Sequence, residues 1–378
     1  MNPFPIIRAS WRRYPGTALA TVLLVALAVA LGTAVSLLEP SIRRGATAAA
    51  DRFDLVVGAP GGEAQLVLSA VYLDGTPLPP LSGAVLDRVR NEAGVAWCSP
   101  LLFGDTWRGL PIVGVDEVFL DGQGAFRAPE DAYAGALVPL EPGERFHGAH
   151  GAAAVTEHDE SHTEYVVRGR LAPTGTPWDR ALLVSASSLW RTHGLVAGQS
   201  SPPVSAVVVK PRSVADAYRL RQLFRTESSV ALFPAEVLVR LYALLGDAQT
   251  LFSGMARLAQ GAVLAAVLMA VFAGMARRRK TLAVLRALGA PRRYGALALW
   301  LEVFLMLAAG GLVGLVLGWG LCAWGASLAA KATGVALTVT LGKSEWAAFG
   351  LTLLVGGAAA LLPAWSGYRL SVAAALRE

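Results

Sequence analysis

All five histidines of this chain fall between residues 147 and 193, and four of them are interleaved with acids. His147, His150, His158 and His162 lie in HGAHGAAAVTEHDESHTE, spaced H-x2-H-x7-H-x3-H, with Glu157, Asp159, Glu160 and Glu164 among them; His193 follows. Imidazole and carboxylate donors suit Zn²⁺ or a similar borderline ion, and a His-rich tract is a compositional signal for metal. The same composition also describes a solvated polar loop, because the pattern includes no sulfur ligand and no fixed scaffold. A second candidate, LGKS at 341–344, ends like a phosphate-binding P-loop, but the first glycine of that motif would be residue 337, which is Leu337. Neither a nucleophile elbow nor an HExxH zinc motif occurs. The chain is therefore expected to be non-catalytic, with Zn²⁺ as the one cofactor its own residues suggest. Cys98 and Cys322 are expected on different sides of a lipid boundary and so unpaired.

The elements that must carry these residues are unusually apolar. The sequence is 54% hydrophobic and only 16% charged, which argues for a membrane protein. Residues 15–38, 258–276, 303–330 and 346–368 contain no charge. A helix rises about 1.5 Å per residue, so about 20 such residues cross a hydrocarbon core about 30 Å thick. Four spans are expected. The first is too long for a cleaved signal peptide and reads as a retained anchor. The net charge of +6 is unevenly placed and sets topology, with no indication of nucleic acid. Arg8, Arg12 and Arg13 precede the first span. Arg277, Arg278, Arg279, Lys280, Arg286, Arg292 and Arg293 fall between the second and third spans, with no acid among them. Both segments are expected inside, which puts residues 39–246 outside. Trp11, Tyr14, Trp346, Trp365 and Tyr368 sit at span ends as an interfacial belt would. Ile7, Trp11 and Tyr14 share a face of a short helix on the inner surface.

Residues 39–246 read as a soluble α+β domain. Strands are expected at 53–58, 110–115, 204–209 and 229–233. Helices are expected at 81–91 with Ser82 as N-cap, at 213–225, and from Pro234 toward the second span. The insertion at about 116–199 is rich in Gly, Pro and turn signals and reads as a separate, mainly β lobe.

Within the basic segment 277–293, Leu282, Leu285 and Leu288 recur at helical spacing with Arg286 between them, and Gly289 follows as a C-cap. Such a helix fits a partner's groove or an anionic lipid surface equally well. Gly314 and Gly318 form a small-xxx-small pair that packs helices within one subunit or across a dimer.

The segment RRRKTLAVLRALGAPRR resembles the coupling loop of MacB-like permeases, the FtsX or LolCDE group of ABC transporters, which commonly reads RRxEIAVLRALGA before a basic pair. The match covers Arg278, Arg279, Ala283, Val284, Leu285, Arg286, Ala287, Leu288, Gly289 and Ala290; Thr281 stands where the family usually has Glu. The N-terminal WRRYPGTAL, Glu302 at the start of the third span, and AAALRE at the C-terminus are similar to the family as well, with Val372 in place of its proline. A subset of these permeases also resembles this chain in DLVVGAPGGEAQLVLSAVY, in PTGTPWDR and in the W-x-x-H of Trp190 and His193.

The resemblance implies an α-helical membrane protein with four transmembrane helices plus an α+β extracytoplasmic domain, a porter-like lobe carrying the inserted β lobe. The expected layout is an interfacial helix at 1–14, spans at 15–38, within 247–276 (which includes a stalk end), within 294–330 and at 346–368, an outer loop at 331–345 and a cytoplasmic tail at 369–378. The resemblance further implies coupling through Arg278, Arg279, Leu282, Leu285, Arg286, Leu288, Gly289 and Ala290, with Glu302, Gly314 and Gly318 packing the spans. The implied partners are two cytoplasmic ABC ATPase subunits that carry the ATP and Mg²⁺, a second permease copy in a homodimer, a periplasmic binding protein or lipoprotein, and membrane lipid. The implied place is the bacterial inner membrane with both termini cytoplasmic. Three functions are open at this point: a permease moving or releasing cargo outside by mechanotransmission, an FtsX-like scaffold activating an outer enzyme, and a membrane-anchored metal-binding protein.

Overall fold

A computed structural model describes residues 2–74, 78–150, 163–195, 198, 200–287 and 289–368; for 39, 46, 150, 244–249, 252–253, 256, 270–287, 292, 363 and 366–367 it describes the backbone alone. The chain divides into two compact units. One comprises Met1–Ser41, Gly246–Ala326 and Thr338–Glu378; the other comprises Ile42–Leu245 and Ser327–Leu337.

The second unit is a mixed α/β domain. Its strands are β1 (Leu55–Gly58), β2 (Val95–Trp107), β3 (Leu110–Val115), β4 (Asp131–Ala134), β5 (Arg145–His147), β6 (Ala149–His150), β7 (Glu164–Arg170), β8 (Leu182–Ser185), β9 (Ala206–Pro211) and β10 (Val230–Leu232). They pair in the order β10-β1-β9-β2-β3-β8-β4-β7-β5, with β6 added to β2. The apolar runs of β1 and β9 do not alternate with polar residues because both faces are covered. Leu55, Val57, Val207 and Val209 enter one core, while Val56, Ala206 and Val208 enter the other.

Helices α4 (Gly83–Arg90), α5 (Ala186–Thr192) and α6 (Val214–Leu223) close the first face with Leu86, Val89, Leu189 and Leu220. Helix α3 (Glu63–Tyr72) and the ends of two long helices, α2 (Pro15–Ala50) and α7 (Pro234–Ala287), close the second with Leu66, Val67, Ala49, Ala50, Val237 and Leu238. The expected Ser82 cap forms, its hydroxyl accepting from Ala84 N–H, and the Ser213 hydroxyl likewise caps α6 by accepting from Asp216 N–H.

The insertion expected at about 116–199 as a separate β lobe contributes β4, β5, β6, β7 and β8 to this same sheet and the same compact unit, and β2 joins this lobe to the rest. The first half of β2 pairs with β9 and the second half with β3 and β6, the register shifting between Leu102 and Asp105. Gly104 lies in that shift at φ +144, where a side chain is strained. The lobe then continues the same sheet through the parallel pairing of β3 with β8. Residues Ser327–Leu337 belong to this unit: Ala336 N–H donates to Gly175 O at 2.8 Å, and the Arg180 guanidinium donates to Ala332 O.

The first unit is helical: α1 (Phe4–Arg13), parts of α2 and α7, α8 (Arg292–Thr333), α9 (Lys343–Ala359) and α10 (Leu361–Tyr368). Val25, Val29, Val267, Val303, Leu307, Leu315 and Ala360 form its core. Among the described residues two helices, α2 and the run Arg293–Thr333 within α8, are long and apolar enough to cross a membrane, and α7 adds the shorter apolar stretch Arg257–Met269. The stretch expected as one span at 346–368 is two helices that break at Ala360. Pro363 has no N–H to offer the carbonyl of residue 359. Helix α2 also runs beyond residue 38, the expected end of the first span, to Ala50.

Candidate functional site

The basic segment at 277–287 is the last part of α7, one unbroken helix of 54 residues. Arg278, Arg279, Leu282, Leu285 and Arg286 are therefore helical. Leu288 lies outside the described residues. Gly289 follows at φ +93 with open space around it, so the left-handed backbone and not crowding calls for glycine. After Ala290 the chain turns tightly, Tyr294 N–H donating to Pro291 O at 2.9 Å, and α8 begins.

Helix α8 carries the other expected packing residues. Glu302 is 5% exposed and accepts the Ser10 hydroxyl proton at 2.7 Å; the Tyr294 hydroxyl donates to Asn2 O at 3.0 Å. These two bonds fix α1 to the start of α8. Gly310, Gly314 and Gly318 lie along one stripe of α8, and a Cβ on any of them would run into the backbone of α2 at Val22, Ala26 or Ala30. Of the two packings left open for Gly314 and Gly318, the structure contains the one within a single subunit.

The described histidines, His147, His150 and His193, lie at separate places in the β lobe. His147 ends β5, exposed, and pairs in register with Glu164. His150 lies in β6 with its backbone opposite Asp105 of β2. His158 and His162 lie outside the described residues. Asp105 is 2% exposed, and its carboxylate meets His193 Nε2 at 3.2 Å. Among the described residues no group of three or more His, Cys, Asp or Glu is placed to hold a metal.

Sequence reasoning missed the buried carboxylates. Asp179, 4% exposed, accepts from Thr174 N–H, Thr174 Oγ1–H and Gly175 N–H at 2.7–2.8 Å and shapes the PTGTPWDR turn. Asp131 accepts from Arg127 N–H, Ala128 N–H and Arg168 Nε–H. Burial pushes its carboxyl up, but the Arg168 guanidinium and the two amides more than offset that and hold it below the usual range. Glu345 is 7% exposed, at the start of α9. The Pro, Gly and Thr of PTGTPWDR signal a turn ahead of Asp179, whose donors lie four and five residues before it, whereas nothing in the sequence marks Asp131.

The P-loop likeness at 341–344 is a helix start whose anion is already supplied. Gly342 N–H donates to Glu345 Oε2 at 2.8 Å, so the chain's own carboxylate takes the place a phosphate would need. Burial pushes the Cys98 thiol up to about 11, which leaves it a poor nucleophile at neutral pH. Cys98 and Cys322 are both free.

Residues 258–372 match the family described as FtsX-like permease C-terminal, a stretch that runs from inside α7 past α10. The match covers about the last third of the chain and includes the segment whose motif is similar to that family's coupling loop. No curated relative matches. The periplasmic region of MacB from Actinobacillus actinomycetemcomitans aligns over 51% of this chain and 95% of its own length, at 9% identity and a TM-score of 0.33. The extracellular domain of the noncanonic ABC-type transporter YknZ from Gram-positive bacteria aligns over 47% of this chain and 98% of its own length, at 12% identity and a TM-score of 0.29. At such values neither likeness speaks to activity or partner.

Proposed function

We propose that this chain is the permease subunit of an ABC transporter, crossing the inner membrane four times with both termini cytoplasmic, and that it turns ATP hydrolysis by a separate ATPase into movement of its outer domain. The observation that carries the reading is α7: a single helix begins at β10 of the α/β domain and ends in the basic segment inside the FtsX-like match. At about 1.5 Å per residue it is about 80 Å long, enough to join an outer domain to a cytoplasmic partner across a bilayer about 30 Å thick. Leu285 and Arg286 dock in the ATPase groove, and a homodimer of the chain engages two ATPase subunits. Cargo is moved or released on the outer side without having to cross the lipid.

The test is co-purification of the full chain with the ATPase encoded beside it. Leu285→Asp combined with Arg286→Glu is expected to abolish the complex while the permease still inserts. An intact complex in that double variant refutes the docking assignment.

A metal-linked role for the β lobe is favoured by one arrangement, the buried Asp105 bound to His193 and lying opposite His150 in the ladder. Saturable Zn²⁺ uptake by the full chain, lost when His147, His150, His158 and His162 are changed to Ala together, is the expected result. Uptake that survives those changes removes the role.

A further inference from the structure

Within the helical unit, α2, α7 and α9 enclose a cavity of about 370 Å³. Its walls are apolar at Val29 and Phe349 but polar at Thr33, Ser36, Gln260 and Ser344. Two charges of opposite sign also line it, Arg257 and Glu345. Gly32 admits the Gln260 side chain to this wall, since a Cβ there would overlap its amide.

Glu345 is an unusual carboxylate. It is 7% exposed and accepts only from neutral donors: Gly342 N–H at 2.8 Å, the Ser344 hydroxyl at 3.0 Å and the Ser36 hydroxyl at 3.4 Å. Among the described residues it has no cationic partner, and Arg257 forms no ion pair. A buried charge left without a counter-ion is costly, and a cavity that offers one of each sign is complementary to a zwitterion.

We propose that this cavity is a binding site for the headgroup of an aminophospholipid of the outer leaflet. Its primary ammonium donates to Glu345 and the neighbouring hydroxyls, its phosphate meets Arg257, and the apolar walls take the first methylenes of its chains. The volume is in the range of small-molecule sites, about 300–1,000 Å³. The site lies inside one subunit and needs no second copy. It rests on the reading of α2, α7 and α9 as spans, with residues 331–345 on the outer side.

The full chain, in micelles with equal phosphatidylethanolamine, phosphatidylcholine and phosphatidylglycerol, is examined by native mass spectrometry. The wild type is expected to retain phosphatidylethanolamine over the other two by about tenfold, the worth of a charge-assisted hydrogen bond. Glu345→Gln keeps the side chain needed for the helix cap and is expected to lose that preference. Arg257→Met, at an exposed position, is expected to weaken retention of all three lipids. Equal retention of the three by the wild type, or an undiminished preference in Glu345→Gln, overturns the proposal. Displacement of the lipid by millimolar phosphoethanolamine overturns the lipid source, since a soluble zwitterion then suffices. Failure to co-purify with an ATPase bears on the permease reading and leaves this result untouched.

Discussion

Asp131 illustrates how little of the residue-scale chemistry can be read from neighbouring letters. In APEDAY it has the look of a loop aspartate, yet it is 2% exposed and gathers three N–H donors. Its folded carboxyl lies below its unfolded value, so its contribution is complete above the unfolded value near 3.8 and is lost as pH falls through the folded one. Asp131→Asn is expected to lower stability at neutral pH by about 1–2 kcal/mol, because one amide oxygen cannot serve all three donors. The gap to the wild type should close on acidification below the usual carboxylate range. Thermal melts at a series of pH values check both parts; a gap constant with pH counts against the carboxylate's charge as the cause. Asp179 makes a harsher case, since its three donors are local to one turn: Asp179→Ala is expected to cost about 2–4 kcal/mol in the same melts. The histidines are the reverse. Their spacing was conspicuous in the sequence, while the partner the structure gives to His193, Asp105, sits some ninety residues earlier in a strand and could not be paired with it by spacing.

At the scale of elements, what was legible depended on whether an element declares itself locally. Helices α4 and α6 did, because both carry apolar positions at helical spacing, and Ser82 caps α4 as expected. Strands β1, β3, β9 and β10 did as short apolar runs between turns. Helix α3 did not: its sequence EAQLVLSAVY is buried broadly enough to lack a clear polar face, and Gly61 and Gly62 before it read as a turn. The 13-residue β2 was missed because half of it belongs to each lobe and Gly104 interrupts its pattern. The break between α9 and α10 could be anticipated from Pro363, but hydropathy alone averages over it. The glycine stripe of α8 yields a prediction at this scale. Gly314→Leu drives a side chain into the backbone of α2 and is expected to destabilise the helical unit by about 1–3 kcal/mol or more. Gly320→Leu, on the same helix with open space at its Cβ, is expected to be near neutral. Melting in detergent distinguishes them, and equal effects at the two positions would remove close α2–α8 approach as the explanation.

For the whole molecule, three helices pass through both compact units: α2, α7 and α8. A permease that works by transmitting movement needs at least one such connection to be stiff. Helix α7 is the natural candidate, since it alone also contains the basic segment proposed to meet the ATPase. Stiffness in a helix comes from its continuous ladder of i to i−4 hydrogen bonds, and a proline in the interior both removes one bond and crowds a carbonyl, at a local cost of about 3 kcal/mol. Leu251 is the place to do this, because it lies within α7 and is 70% exposed, so that replacing it empties no core. Leu251→Pro is expected to insert, to bind the ATPase as the wild type does and to support ATP hydrolysis, while the outer domain ceases to respond. Leu251→Ala, which preserves the ladder, is expected to behave as wild type. Distance measurements between spin labels on the outer domains of the proposed dimer, taken with and without a non-hydrolysable ATP analogue, read the response directly. A nucleotide-dependent distance change that persists in Leu251→Pro would show that α7 is not the element that carries the movement, and would shift attention to α2 and α8.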